Sequence, residues 1–596
     1  MRTGTAETQP LAGRGSSPSE ASDPQEDDKK PRVPILSLMR RVITPSGVIM
    51  VLVALLIAWL ALGPLVLLVW ETITVNGELS LQAIIDAYSA PRLFEMIVNT
   101  FVFSVGATLL AVGSGTLLAY LTARTNMPFK GLAVAASLVP LVIPQVLYAI
   151  AWIFLGSPRI GLINAWLEPI FGPGTMDIFS MAGMILVEGL HLAPLVYLLM
   201  YAAFKNMDPS LEESAMMSGA SRFTTAVRIT APLARPAFLA SFLIMFIRAI
   251  EAFEVPALIG LPDGIFVFMS RIWRALTVFP PDQAEAGSYA IGILLVTALG
   301  LYGYSKMTAK GGASYQTVTG KGFRSHAMDL GVWRWPAATL TLAYFVIAVL
   351  LPLFILIYAS LRSFYVTPTW GSMTNLTLMH YAELLSRPTT LTAFRNSIFL
   401  SIGTATAVMI VMAVASWMVI RTKVRGRWLV DLLAFLPFAI PGLILGMAFL
   451  IIYLRVPIPI YGTIWILFLA YFTRFMPYGM RYVSTSMHQI AHELEESAQV
   501  SGATWLQTFR KVLLPLILPG MIAGWIYIAS VSLRELSSSL LLYSPGNEVL
   551  SIEIWRLWEN GNLPGVAALG VMMMVLLMVM VAIARRVGSR LGVNEF

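Results

Sequence analysis

Two ten-residue segments carry the most legible chemistry in the chain. The first reads Leu211-Glu-Glu-Ser-Ala-Met-Met-Ser-Gly-Ala220 and the second Leu494-Glu-Glu-Ser-Ala-Gln-Val-Ser-Gly-Ala503. In each, a carboxylate pair, Glu212 and Glu213 or Glu495 and Glu496, opens a short helical stretch that Gly219 or Gly502 can end in a left-handed turn. Asp208 is placed to cap the first helix ahead of Pro209. Ser221 or Thr504 can cap a second short helix running toward Pro232/Pro236 or Pro515/Pro519. Leu211, Ser214, Ala215 and Ser218 share one face, as do Leu494, Ser497, Ala498 and Ser501. Small side chains beside carboxylates suit a helix that lies in a partner's groove and meets basic groups at its rim. One copy alone would read more simply as a surface helix on its own bundle; recurrence favours the partner.

A second set of ionisable residues interrupts otherwise apolar runs: Glu188, His191, Arg248, Glu251, Glu254, Arg474, Arg534 and Glu535. Charge at membrane depth is costly and marks a translocation path or a gate. The competing reading places Arg534/Glu535 and Arg248/Glu251 at the outer interface or has them neutralise each other. His488 and His492 stand four apart, but Gln489 occupies the place of the acid in a zinc-protease motif, so a solvated helix face is expected there. Gly320-Lys321 resembles the end of a phosphate-binding loop, yet Gly322 follows where Ser or Thr is required. The chain has no cysteine, which excludes disulfides, thiolate metal sites and cysteine nucleophiles. No catalytic constellation stands out, and neither a metal site nor a bound cofactor is expected on this chain.

The elements that position these groups follow from composition. Of 596 residues, 57% are hydrophobic and only 12% charged, with mean hydropathy +0.76, against about 25% charged in soluble domains. Such a chain must present apolar surface to a lipid bilayer, which excludes a cytosolic enzyme, a nucleic-acid binder and a disordered scaffold despite the net charge of +8. Residues 1–41 read as a disordered cytoplasmic tail. Beyond it, about twelve apolar stretches approach the roughly 20 residues needed to span a bilayer: 42–70, 96–123, 131–158, 178–204, 237–258, 287–305, 336–361, 396–420, 432–454, 461–487, 520–541 and 560–584. An all-α transmembrane fold is the expectation. Lys and Arg gather on alternate connections, most densely in 421–427 and in the linker 306–335, which puts both termini in the cytoplasm.

The chain repeats. Asn99, Ser104, Gly106, Arg124, Pro140 and Pro144 recur as Asn396, Ser401, Gly403, Arg421, Pro437 and Pro441 at an offset of 297. Glu212, Glu213, Gly219, Pro232 and Pro236 recur as Glu495, Glu496, Gly502, Pro515 and Pro519 at an offset of 283, so the first half carries 14 extra residues, expected near 157–178. Two halves of six spans, 42–305 and 336–596, enter the membrane from the same side and imply a pseudo-two-fold axis along its normal.

The pattern Glu-x-Ala, three residues, Gly, nine residues, Ile-x-Leu-Pro resembles the coupling motif of type I ABC importer permeases, the MetI-like components of binding-protein-dependent transport. Glu213, Ala215, Gly219, Ile229 and Pro232 fit it, as do Glu496, Ala498, Gly502, Leu514 and Pro515; Ser214, Ser497, Ala231 and Val512 depart from it. The resemblance implies two MetI-like halves whose coupling loops each dock one copy of an ABC ATPase subunit. ATP and Mg would sit on those subunits, and an extracytoplasmic binding protein would deliver the substrate to a bacterial inner-membrane permease. Segments 156–164 and 251–262 look like parts of fused, two-half ferric-iron permeases, with much shared by thiamine, polyamine and phosphonate permeases. Ferric iron is therefore the expected cargo, with Glu251 and Glu254 along its passage. A secondary transporter also has twelve spans in parallel halves and is the rival from another class; a membrane-embedded enzyme is a third.

Overall fold

A computed structural model describes residues 45–75, 77–312, 327–369, 371–422 and 424–590. The tail 1–41, the Gly320-Lys321 lookalike and the middle of the expected linker, 313–326, lie outside the described residues. From Met50 onward the described residues cluster as one unit.

Apolar runs become long helices, even across internal prolines such as Pro64, Pro194 and Pro519, since only a backbone that satisfies its own hydrogen bonds can cross hydrocarbon. The first half contains α1 (Pro45–Thr72), α2 (Gln82–Tyr88), α3 (Leu93–Arg124), α4 (Lys130–Leu141), α5 (Gln145–Gly156) and α6 (Leu162–Phe171). It continues with α7 (Met181–Lys205), α8 (Ser210–Met217), α9 (Arg222–Glu251), α10 (Phe268–Thr277) and α11 (Gln283–Gly312). The second half contains α12 (Gly331–Ser360), α13 (Met379–Ser386), α14 (Pro388–Arg421), α15 (Arg427–Ala439) and α16 (Gly442–Arg455). It ends with α17 (Ile464–His488), α18 (Glu493–Val500), α19 (Trp505–Leu533), α20 (Leu550–Glu559) and α21 (Leu563–Arg590). Among the described residues the only ladder is a two-residue hairpin, Thr74–Val75 with Glu78–Leu79.

Nine of these helices are long and apolar enough to cross a membrane, or eleven when two bent pairs count as one span each. The twelfth expected span is α17, a 25-residue helix of sufficient length at about 1.5 Å per residue but interrupted by Arg474 and Arg481.

Two expected spans are not straight. α4 and α5 meet at 109°, and α15 and α16 at 111°. Pro144 and Pro441 explain both bends: each is extended, with ψ of 141° and 142°, and the next helix starts immediately after it. Proline lacks the amide that would continue the preceding helix and pushes its predecessor away from helical backbone.

The halves interlock. Each half's first span packs on the other half's third: Glu71 at the end of α1 pairs with Arg455 at 2.6 Å, and Tyr148 of α5 donates to the Ala348 carbonyl of α12 at 3.0 Å. Within each half the second and fourth spans pack most closely. A Cβ at Gly115 of α3 would lie 2.7 Å from the Ala193 carbonyl of α7, and one at Gly479 of α17 would lie 2.5 Å from Val408 of α14. Glycine is required where helices approach that tightly. The first half's extra residues form α6, whose Asn164 ties the loop down by donating to the carbonyls of Ser157 at 2.9 Å and Met176 at 2.7 Å.

Candidate functional site

The repeated carboxylate segments fold as α8 and α18, each followed by a glycine in the left-handed region, Gly219 at φ +87° and Gly502 at φ +82°. Asp208 Oδ1 accepts from the Ser210 amide at 2.9 Å, and that bond holds its carboxyl below the usual carboxylate range. Ser221 accepts from the Thr224 amide at 3.1 Å. Thr504 and Gln507 cap one another's amides at 3.4 and 2.8 Å.

The two glutamates of each pair have opposite fates. Glu212 and Glu495 turn inward. Glu212 forms a buried ion pair with Arg124 and accepts from Thr230 Oγ1 at 2.5 Å. Glu495 Oε1 lies 2.9 Å from Arg421 Nε. The same arginines bind carbonyls at the ends of the preceding spans: Arg124 those of Phe204 and Met207 at 3.4 and 3.3 Å, Arg421 those of Met487 and Ile490 at 2.9 and 2.6 Å. So the expectation that both acids face a partner is corrected: one per half pins the helix, and Glu213 and Glu496 remain on the surface. Ala215 and Ala498 are half-buried beneath them.

The exposed face is also less uniformly small than the spacing suggests. Met217 is 89% exposed and its repeat equivalent Val500 90%, while Phe223 and Leu506, again equivalent, are 79% and 59% exposed. Apolar side chains at matching positions on two otherwise polar helices were the missed signal.

The first segment is braced by the strand-like stretch that precedes the second half. Met328 donates to the Arg124 carbonyl at 2.8 Å and accepts from the Asn126 amide at 3.0 Å. Asn126 donates to Asp329 at 2.6 Å, and Asp329 lies 3.6 Å from Arg222 at the start of α9. His488 ends α17 and His492 precedes α18, so the two histidines do not share a helix face; His492 instead sits 3.9 Å from Glu496.

The eight ionisable residues expected at membrane depth come together between the halves. Arg474 pairs with Glu535 at 3.0 Å, and Glu535 also accepts from the Ser538 amide and hydroxyl at 3.1 and 3.0 Å. Gln145 donates to Glu188 at 2.7 Å. Glu251 lies in the field of Arg248 and Arg474, and His191 in that of Arg534 and Arg248 while its ring meets Tyr148 at 5.4 Å. The two halves reach into each other reciprocally. Arg248 binds the Tyr478 hydroxyl and approaches the Phe438 ring of the α15 turn, and Arg534 binds the Leu141 carbonyl of the α4 turn. Arg534 and Glu535 do not stand at ion-pair distance, nor do Arg248 and Glu251, although each arginine lies in the field of its neighbouring carboxylate.

One contact joins the halves directly within this cluster. Ser537 Oγ donates to Glu254 Oε1 at 2.9 Å, and the two positions differ by 283, the repeat offset itself. This bond ties the segment after α9 to the segment after α19, one from each half. Gln145, Tyr478, Ser537 and Ser538 carry no charge and escaped a search for charges in apolar runs. Among the described residues no three His, Asp or Glu side chains converge as a metal site.

Two similarly built helical halves, each with a sharply bent helix pair and a short helix held by a buried Arg–Glu pair, define an all-α, multi-span membrane protein. The chain belongs to the family of binding-protein-dependent transport system inner membrane components, whose model matches it twice, over residues 107–308 and 410–593. A ferric transport system permease protein of Actinobacillus pleuropneumoniae is 26% identical over 75% of this chain and 64% of its own length. The chain thus spans less than two thirds of that relative. An Fe(3+)-transport system permease protein of Haemophilus influenzae is 24% identical over 80% of this chain and 87% of its own length. A protein of Salmonella typhimurium described as a candidate 2-aminoethylphosphonate transport system permease is 30% identical over 28% of this chain and 62% of its own length.

Proposed function

We propose that this chain is the membrane-spanning subunit of an ABC importer for ferric iron, fed by an extracytoplasmic binding protein and driven by two copies of a separate ATPase subunit. The observation that carries the reading is the duplicated surface helix: in each half a buried Arg–Glu pair fixes a short helix that presents a carboxylate and two apolar side chains outward. Exposed Met217 and Val500 are costly in water and gain from a groove; a pinned base lets a partner's push reach the spans instead of bending a loop.

On this reading α8 and α18 face the cytoplasm, as do both termini, and each docks one ATPase. ATP and Mg stay on those subunits, and this chain hydrolyses nothing and holds no cofactor of its own. Closure of the ATPase pair drives the halves apart or together across the contact between Glu254 and Ser537. The reciprocal arginine contacts through Arg248 and Arg534 hold the passage shut until then. Carboxylate and hydroxyl oxygens are the ligands a hard cation meets most readily, and the similarity to ferric permeases over most of this chain supports iron as cargo. The shorter similarity to the phosphonate permease candidate keeps an organophosphonate as the second reading.

The test is to reconstitute the chain with its ATPase and binding protein and to measure uptake and ATP hydrolysis together. Iron-loaded binding protein should stimulate both. Stimulation by phosphonate-loaded binding protein alone would overturn the cargo, and uptake that proceeds without nucleotide would overturn the class in favour of a secondary transporter.

A further inference from the structure

At the end of α3 opposite Arg124, a cavity of about 390 Å³ opens between the first turns of α3, α10 and the start of α11. Arg92, Arg271, Arg274, Glu95, Asn99 and Tyr289 contribute to its wall. Arg271 is held by Glu285 at 2.5 Å. Arg274 rests 5.1 Å over the Phe266 ring, and among the described residues neither it nor Arg92 has an ion-pair partner. Counting Glu285, the pocket keeps one net positive charge, and the positive end of the α3 dipole points the same way.

Depth and surroundings narrow the ligand. α3 has 32 residues, about 48 Å at 1.5 Å per residue, whereas a bilayer with its headgroups measures about 40–45 Å. The first two turns of α3 therefore lie at headgroup level. On the outer face of those same turns Phe94, Ile97 and Val98 are exposed, and below them Phe101 of α3 and Leu295, Val296 and Leu299 of α11 are exposed as well, as lipid-facing side chains are. The arrangement is a cationic recess above an acyl-chain surface.

We propose that this cavity binds the phosphate headgroup of an anionic phospholipid from the adjoining leaflet, with Arg92 and Arg274 as its charged contacts. Among the described residues the second half does not repeat the site in full: Arg556 stands in place of Arg274, but it is tied up by a carboxylate. The second-half helix that corresponds to α10 is α20, where Glu553 stands in place of Arg271 and pairs with Arg556 at 2.6 Å, and Thr389 stands in place of Arg92. A lipid held here would bridge the start of the second span to the sixth.

Native mass spectrometry of the purified full chain, titrated with phosphatidylglycerol, phosphatidylcholine or glycerol 3-phosphate, tests this. One phosphatidylglycerol should be retained in preference to phosphatidylcholine, and Arg92→Gln with Arg274→Gln should weaken it about tenfold or more, the worth of a lost charge-assisted bond. Arg274→Lys should recover part of the loss, and unchanged thermal melting of each variant shows that the fold is intact. Equal retention of phosphatidylcholine would overturn the charge claim. Glycerol 3-phosphate binding as tightly as the lipid would make this a soluble-anion site. Unchanged lipid retention in the double variant, with loss of stimulation by the binding protein, would make it a protein-docking surface.

Discussion

Replacing Glu212 by alanine strips Arg124, whose side chain is 2% exposed, of its carboxylate partner. What remains for Arg124 are carbonyls at 3.3 and 3.4 Å. Glu495→Ala leaves Arg421 better served, with carbonyls at 2.6 and 2.9 Å. Removing one partner of a buried pair costs about 3–5 kcal/mol; the shorter residual bonds put the second-half variant at the lower end and the first-half variant at the upper. Because α8 and α18 have eight residues each, that energy is lost as local release from the spans and not as global unfolding. Hydrogen exchange over 209–219 should therefore accelerate on Glu212→Ala by about a hundredfold or more, over 493–502 on Glu495→Ala by less, and ATPase retention should fall with each. Removing both charges, Arg124→Met with Glu212→Met, should restore most of the protection. Unchanged exchange in Glu212→Ala, or a double variant as exposed as the single, would refute the pinning argument.

Three further outcomes follow from the geometry. Gly219→Val with Gly502→Val meets no neighbouring atom and costs only backbone strain, about 1–2 kcal/mol at each site; the protein should reach the membrane while uptake uncouples from ATP hydrolysis, and wild-type uptake would count against a docking role. Glu251→Gln with Glu254→Gln preserves shape and removes charge, and should slow transport about tenfold, equivalent to 1.4 kcal/mol on the barrier, without releasing the ATPase; unchanged rates would make these residues structural. The hydrogen bond donated by the Ser210 backbone amide depresses the Asp208 carboxyl, so its contribution is full above the unfolded value near 3.9 and fades only as pH falls through the lower folded value. The first turn of α8 should stay equally protected from pH 8 to pH 5 in the wild type and fray across that range in Asp208→Ala.

Spans, repeat and caps were readable because each rests on local rules: apolar length, constant offsets, and residue types at helix ends. What was not readable depends on rotation and on the partner across space. Glu212 and Glu213 are chemically identical neighbours, and only the 100° between successive helical positions sends one to Arg124 and the other to the surface. Arg124 and Arg421 were visible as repeated residues, but their pairing with Glu212 and Glu495 joins blocks 88 and 74 residues apart at different offsets. Pro144 and Pro441 were visible as repeated residues, but the spans were read straight through them, because a proline inside an apolar run does not say whether the helix tolerates it or breaks there. The exchange of first spans between halves, through contacts such as Tyr148 to Ala348, has no sequence signature at all.

The most direct measurement uses the absence of cysteine in this chain. A single cysteine at Met217→Cys or Val500→Cys is then the only thiol, and each position is fully open to a reagent or a partner. In sealed vesicles of known orientation, each variant should cross-link one ATPase subunit and the double variant two, with labelling by a membrane-impermeant thiol reagent only from the cytoplasmic side. Labelling of the two positions from opposite sides of the membrane, or no ATPase captured at either, would contradict the account.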